Sequence, residues 1–204
     1  MSAASAYRRG SAPLPGPTPG FLLGVETAAT NQVRTYSLPG LVSATEATVL
    51  LVASKPPSTE DLRMLCAILS QDGTTKTDVA YVGRSYSPNA GLAANTYTNG
   101  FSGVQDKTVL DGGRTVLIGA ELIAVGASAG GFAFRVGGQP QPLAHYDVHQ
   151  PRVWGSTFFL GGEQAGAYTW PGTILACYVY PRRLRPDEYL RTERYLRARF
   201  PQIA

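Results

Sequence analysis

Residues 158–200 read FFLGGEQAGAYTWPGTILACYVYPRRLRPDEYLRTERYLRARF, and this stretch decides the fold. Two apolar runs, residues 157–160 and 173–180, have the length and the β-branched and aromatic content of strands, and Gly161-Gly162 punctuates the interval between them. After Tyr180 the period changes. Pro186, Asp187 and Glu188 form a good first helical turn, with proline at the start and acids beside the positive end of the dipole. Tyr189, Leu196 and Phe200 recur at helical spacing, while Arg191, Arg194 and Arg197 lie elsewhere around the helix and Pro201 ends it. The pattern predicts a helix over 186–199 that lays its apolar stripe on a sheet.

Working upstream, short apolar runs alternate with turn residues. Strands are expected at 47–54 (ATVLLVAS), 64–70 (MLCAILS), 77–83 (TDVAYVG), 115–118, 121–125 and 132–136. They are bounded by Pro56-Pro57, Asp72-Gly73, Asn99-Gly100, Gly112-Gly113 and Gly130-Gly131. Many short strands at this spacing indicate a sandwich or barrel, and without βαβ alternation a parallel sheet is not expected. Residues 58–69 also admit a helix, because Thr59-Glu60-Asp61 resembles an N-terminus; a turn leading into a strand fits better. The expected class is all-β: a two-sheet antiparallel jelly-roll sandwich with one short C-terminal helix. Residues 1–20 hold four prolines and three glycines and too little apolar surface to fold alone, so they read as an extended arm on a domain at 21–204.

Charge narrows the function classes. The net charge is +4, yet residues 182–199 alone carry seven arginines against Asp187, Glu188 and Glu193, which leaves the remainder near neutral. A general basic footprint for nucleic acid is therefore absent. No stretch approaches the ~20 apolar residues of a membrane span. Arg8 and Arg9 are followed by Pro-Gly sequence rather than the apolar segment of a signal peptide, so no export by that route is expected. Cys66 and Cys177 sit in apolar runs and read as buried thiols, with one disulfide between them as the alternative.

Residues 158–200 resemble the closing segment of concanavalin A-like lectin/glucanase domains, especially laminin-G-like jelly rolls. The matching pieces are Leu160-Gly161-Gly162, Trp170-Pro171-Gly172-Thr173-Ile174, Tyr180, residues 184–188 and Tyr195-Leu196. Upstream, FAFRVGG at 132–138 looks like that family's strand into an x-Asn-Gly hairpin, with Gly137 where Asn or Asp is usual. Two departures stand out: Leu175-Ala176 replaces the family's Asp-Glu, and its Trp-His pair before the strand near Thr115 is missing.

The resemblance implies a fold more than a chemistry. Glucanases of this type carry alternating carboxylates on one strand, and glycoside hydrolysis needs two carboxyl groups ~5–10 Å apart. Glu26, Glu46, Glu60, Glu121, Glu163, Glu188 and Glu193 are spread so that none shares a strand with a second acid at even spacing, so no catalytic residue and no enzyme activity are expected. His145, Asp147 and His149 would share one face if extended and could then suit a metal; a polar loop between Pro142 and Pro151 is the plainer reading, and no metal or cofactor is assigned. Ser128 has nucleophile-elbow spacing without the strand-to-helix context and reads as a turn. Asp106, Asp111 and Asp147 do not form the oxygen-rich cluster that calcium requires.

Aromatic rings can stack on sugars, and Tyr97, Tyr146, Trp154 and Tyr168 in or near predicted loops are the candidate saccharide contacts; Trp170 reads as packing. The first functional expectation is a non-enzymatic structural or decoration protein of a bacteriophage particle. Its arm, through Tyr7, Arg8, Arg9 and Leu14, would bind capsid or tail proteins or sister subunits. The alternative is a carbohydrate-binding module of a bacterial extracellular or surface protein, with a cell-surface glycan as partner.

Overall fold

The computed structural model describes residues 16–26, 29–30, 32–42, 44–54, 63–70, 79–84, 92–96, 100–104, 113–123, 132–146, 154–162 and 168–204. In chain order the strands are β1 (Leu23–Val25), β2 (Ala29–Thr30), β3 (Arg34–Ser37), β4 (Glu46–Ser54), β5 (Arg63–Ser70), β6 (Val79–Arg84) and β7 (Leu92–Thr96). They continue with β8 (Gly100–Val104), β9 (Thr115–Ile123), β10 (Phe132–Val136), β11 (Gln139–Pro140), β12 (Leu143–Tyr146), β13 (Trp154–Leu160) and β14 (Thr173–Tyr180), and helix α1 (Pro186–Arg199) closes the chain. Two antiparallel sheets result. One runs β1-β14-β4-β9-β10-β11, with β2 also on β14; the other runs β12-β8-β7-β6-β5-β13-β3.

Strand β4 explains the layering. Every residue from Ala47 to Ala53 is buried, because both faces of this central strand are covered. Val49, Leu51 and Ala53 point between the sheets, where they meet Leu65, Ile68, Val82, Ile118, Phe158 and Val179. Leu50 and Val52 point outward and meet Leu117, Ala176, Tyr178, Tyr180, Tyr189 and Leu196, a second core roofed by α1. A strand covered on both sides reads as an unbroken apolar run, which is how ATVLLVAS stands in the sequence.

The helix spans the expected residues. Pro186 occupies its first turn, and Glu188 reaches back to accept the backbone N–H of Arg185 at 2.9 Å. Tyr189, Thr192 and Leu196 form its buried stripe, and Phe200 packs at the edge of the same cluster. Thr192 carries a contact that periodicity did not show. Its Oγ1 accepts the backbone N–H of buried Thr18 at 3.0 Å, Thr18 Oγ1 donates to the Glu188 carbonyl at 2.9 Å, and Tyr180 Oη donates to the Thr18 carbonyl at 3.0 Å. The arm assigned to residues 1–20 is thus fixed to the sandwich at Thr18, ahead of the boundary at residue 20.

Several expectations need correction. The separate strands at 115–118 and 121–125 are one strand, β9; Gly119 does not interrupt it, but supplies the space over which Tyr189 lies. The polar loop expected between Pro142 and Pro151 begins with a strand, β12, which pairs with β8 through His145 and Gly103. Asp147 and His149 lie outside the described residues. Strands β1, β3, β7 and β8 are short or polar (LGV, RTYS, LAANT, GFSGV) and gave no alternation to read. The hairpin after Phe132–Val136 turns through Gly137 and Gly138 at φ +57° and +83°, a two-residue turn that requires the left-handed region twice. Cys66 and Cys177 are free buried thiols, and burial pushes the Cys66 thiol up to about 12.

Candidate functional site

The outer face of the helix-bearing sheet holds a polar cleft built from three elements. On β9 the outward positions are Leu117, Gly119 and Glu121; on β10, Arg135 lies opposite Gly119. The third element is the turn from β14 into α1. Thr48, opposite Glu121 on β4, fixes that turn: its Oγ1 donates to the Arg182 carbonyl at 2.9 Å and accepts the Leu184 N–H at 3.2 Å. The turn then sets Arg183 Nε 2.7 Å from Glu121 Oε2. Glu121 is only 7% exposed, so the guanidinium supplies the counter-charge that a desolvated carboxylate needs.

Glu121, Arg135, Arg183, Leu184, Arg185 and Pro186 line a cleft of about 340 Å³. That is the lower end of the ~300–1,000 Å³ range of small-ligand sites. Beside it, Tyr189 lies across Gly119, and the Arg135 guanidinium stacks 4.9 Å from the tyrosine ring centroid. The Tyr189 hydroxyl is buried without a hydrogen-bond partner among the described residues. Burial first, then the charge of Glu121, drive its pKa upward against the opposing effect of Arg135 and Arg183. Arg185 is held at its own side by Asp187 at 3.2 Å and Glu188 at 3.7 Å. Glu46 sits diagonally from Glu121 across the β4–β9 register, on the same face.

A second polar cluster lies where β1 ends. Glu26 accepts hydrogen bonds from Tyr178, from Tyr195 at 2.5 Å and from Arg199 at 3.2 Å. Burial opposes ionisation of Glu26, but these three donors outweigh it and hold the carboxyl below its usual range. Every group in the cluster is matched, and it reads as a clasp between the end of β1 and the helix.

Of the aromatic residues expected to contact sugar, Trp154 and Tyr168 are not brought to this cleft. Trp154 is 2% exposed in the core between the sheets and offers no ring face to a ligand; the loop reading failed because β13 begins there. Tyr168 is half-buried at φ +54° against Met64, Ala67 and Phe159 on the outer side of the other sheet, and its carbonyl accepts the Met64 N–H at 2.8 Å. Tyr146 ends β12, on the strand beside β8 in that second sheet. Tyr97 and the arm residues Tyr7, Arg8, Arg9 and Leu14 lie outside the described residues. Trp170 packs as expected, with its indole N–H donating to the Ser54 carbonyl at 2.9 Å. The cleft residues went unrecognised because Glu121 and Arg135 are single polar positions in apolar strands, and Arg183 and Arg185 stood only as part of the arginine excess over residues 182–199.

No protein-family profile and no curated protein matches the sequence. Solved structures do match the fold. A sialidase of Trypanosoma rangeli in complex with sialic acid superposes with a TM-score of 0.54 at 16% identity, over 76% of this chain and 23% of that one. The CBM40 domain of Ruminococcus gnavus IT-sialidase, bound to α2,3-sialyllactose, gives 0.52 at 15% identity over 84% of this chain and 98% of that one. A heptameric SAP-like pentraxin from Limulus polyphemus gives 0.50 at 14% identity over 88% and 78%. The chain spans about a quarter of the length of the sialidases it matches. At these identities the likeness is one of fold alone: a two-sheet antiparallel β-sandwich.

Proposed function

We propose that this chain is a non-catalytic saccharide-binding domain, with the cleft beside the start of α1 as its site. The observation that carries the proposal is the Glu121–Arg183 pair in that cleft, flanked by Leu184 and Pro186. A sugar ring presents hydroxyls that can donate to a carboxylate and accept from a guanidinium, and a C–H face that suits an apolar wall. The sialic acid and sialyllactose held by two of the structural neighbours are in keeping with a carbohydrate ligand, as is the CBM40 domain, which is matched along nearly its whole length. Support for the non-catalytic part of this reading comes from how the described acids beside the helix are used. Glu121 is ion-paired by Arg183, Glu26 is satisfied by three donors, and Glu188 is bound by Arg182. A virion role rests on the arm residues outside the described set, and nothing among the described residues favours it.

The test is a glycan array probed with the 204-residue chain, followed by titration calorimetry on any hit and a reducing-sugar assay on the same glycan. A saccharide should bind, Glu121→Gln should weaken it about tenfold or more, a loss of ~1.4 kcal/mol, and no reducing sugar should be released. An array without a hit removes the reading; turnover lost with Glu121→Gln replaces binding by catalysis.

A further inference from the structure

The cleft's charges do not cancel. Its described lining holds three guanidinium groups and one carboxylate. Arg183 is matched by Glu121 at 2.7 Å, and Arg185 by Asp187 at 3.2 Å with Glu188 at 3.7 Å. Arg135 differs. Its recorded partners are the Gly138 carbonyl at 3.3 Å and the Tyr189 ring at 4.9 Å, both uncharged, and among the described residues no carboxylate stands within ion-pair distance of it. Arg135 is also half-buried, so water screens it less than a surface arginine. Stacking on Tyr189 holds the guanidinium in place, which reduces the side-chain entropy lost when a ligand binds.

We infer that Arg135 is the recognition point for a carboxylate carried by the sugar, so that this cleft selects acidic over neutral saccharides. The inference rests on the saccharide reading above and adds the ligand class. Guanidinium and carboxylate match as a planar two-bond pair, which gives charge and direction together. The ring hydroxyls then fall to Glu121 and Arg183. The volume of about 340 Å³ suits a single sugar residue, so recognition would be of one acidic unit rather than of a chain.

Calorimetry on the full chain with glucuronate and with glucose tests this, because the two differ only in the carboxylate. Glucuronate should bind about tenfold tighter or better, and the difference should shrink as salt is raised. Arg135→Gln should erase the preference by weakening glucuronate about tenfold, while Arg135→Lys, which keeps the charge but neither the planar two-bond fork nor the stacking, should retain only part of it. Thermal melts of both variants report folding, and the salt dependence of the unaltered protein gives a readout that needs no variant. Equal affinity for the two sugars, or a preference that survives Arg135→Gln, overturns the inference while the saccharide reading stands. Acetate binding as tightly as glucuronate shows simple ion capture and overturns it too. If neither sugar binds and the glycan array is also empty, both fall.

Discussion

Replacing Thr192 by valine tests whether the chain's beginning is locked to its end. Valine keeps the shape of threonine and removes one oxygen. In the native fold that oxygen accepts from the Thr18 N–H at 3.0 Å and donates to the Glu188 carbonyl at 3.0 Å, in a position with no exposure. The variant therefore leaves a buried N–H without a partner, at a cost of about 1–3 kcal/mol. For a domain of this size, that corresponds to a melting temperature lower by roughly 2–4 °C for each kcal/mol. Urea unfolding of the wild type, Thr192→Val, Thr18→Ala and the double variant measures the cost and the coupling together. The two side-chain hydroxyls donate to the same Glu188 carbonyl, and the Thr18 N–H donates to Thr192, so the double variant should depart from the sum of the single losses by about 0.5 kcal/mol or more. Strict additivity, or a Thr192→Val chain as stable as the wild type, would show that Thr18 is not docked and that the chain before residue 20 is free of the sandwich.

Three further outcomes are expected. Leu196→Ala empties the centre of the core beneath the helix and should cost about 2–5 kcal/mol by denaturant melts; a loss under about 1 kcal/mol contradicts the packing of α1. At Gly119, an alanine Cβ would collide with the Tyr189 hydroxyl and approach its Cε1 to 2.8 Å. Gly119→Ala should destabilise by about 1–3 kcal/mol through overpacking, whereas a neutral result would mean that Tyr189 lies elsewhere. Glu188 is held at about 2, against an ordinary 4.5, by the hydrogen bond from Arg182 and then by the Arg185 N–H. A folded-state value below the unfolded one contributes stability that is fully present above about pH 5 and is lost as pH falls towards about 2. Glu188→Gln should thus be less stable than wild type at neutral pH, and the gap should close across that window; a constant gap excludes the Arg182 pairing as its source.

The legible parts of this fold were those where one local signal dominates. Proline, acids and a tyrosine–leucine stripe specified α1, and unbroken apolar runs specified β4, β5 and β14; the Gly137-Gly138 turn between β10 and β11 was legible through the family resemblance. Short edge strands such as β1 and β3 were not legible, because three or four residues carry no periodicity and their pairing partners lie more than a hundred residues away. The cleft was hidden for the same reason. Glu121, Arg135 and Arg183 meet only because β9, β10 and the turn after β14 converge, and no sequence spacing encodes that meeting. Trp154 misled because a tryptophan amid glycine, serine and proline looks like a loop aromatic, while β13 in fact starts with it and turns it inward.

The central claim, that a lectin-like sandwich binds saccharide in the cleft beside α1, is tested most directly by amide chemical-shift mapping. An isotope-labelled full chain would be titrated with the tightest ligand from the glycan array. Shifts should concentrate at Gly119, Glu121, Arg135 and the turn from Arg183 to Arg185, and with an acidic sugar they should saturate only at about tenfold higher concentration in Arg135→Gln. Saturable shifts confined to the outer side of the other sheet, around Tyr168, would contradict this site and return recognition to the aromatic residues.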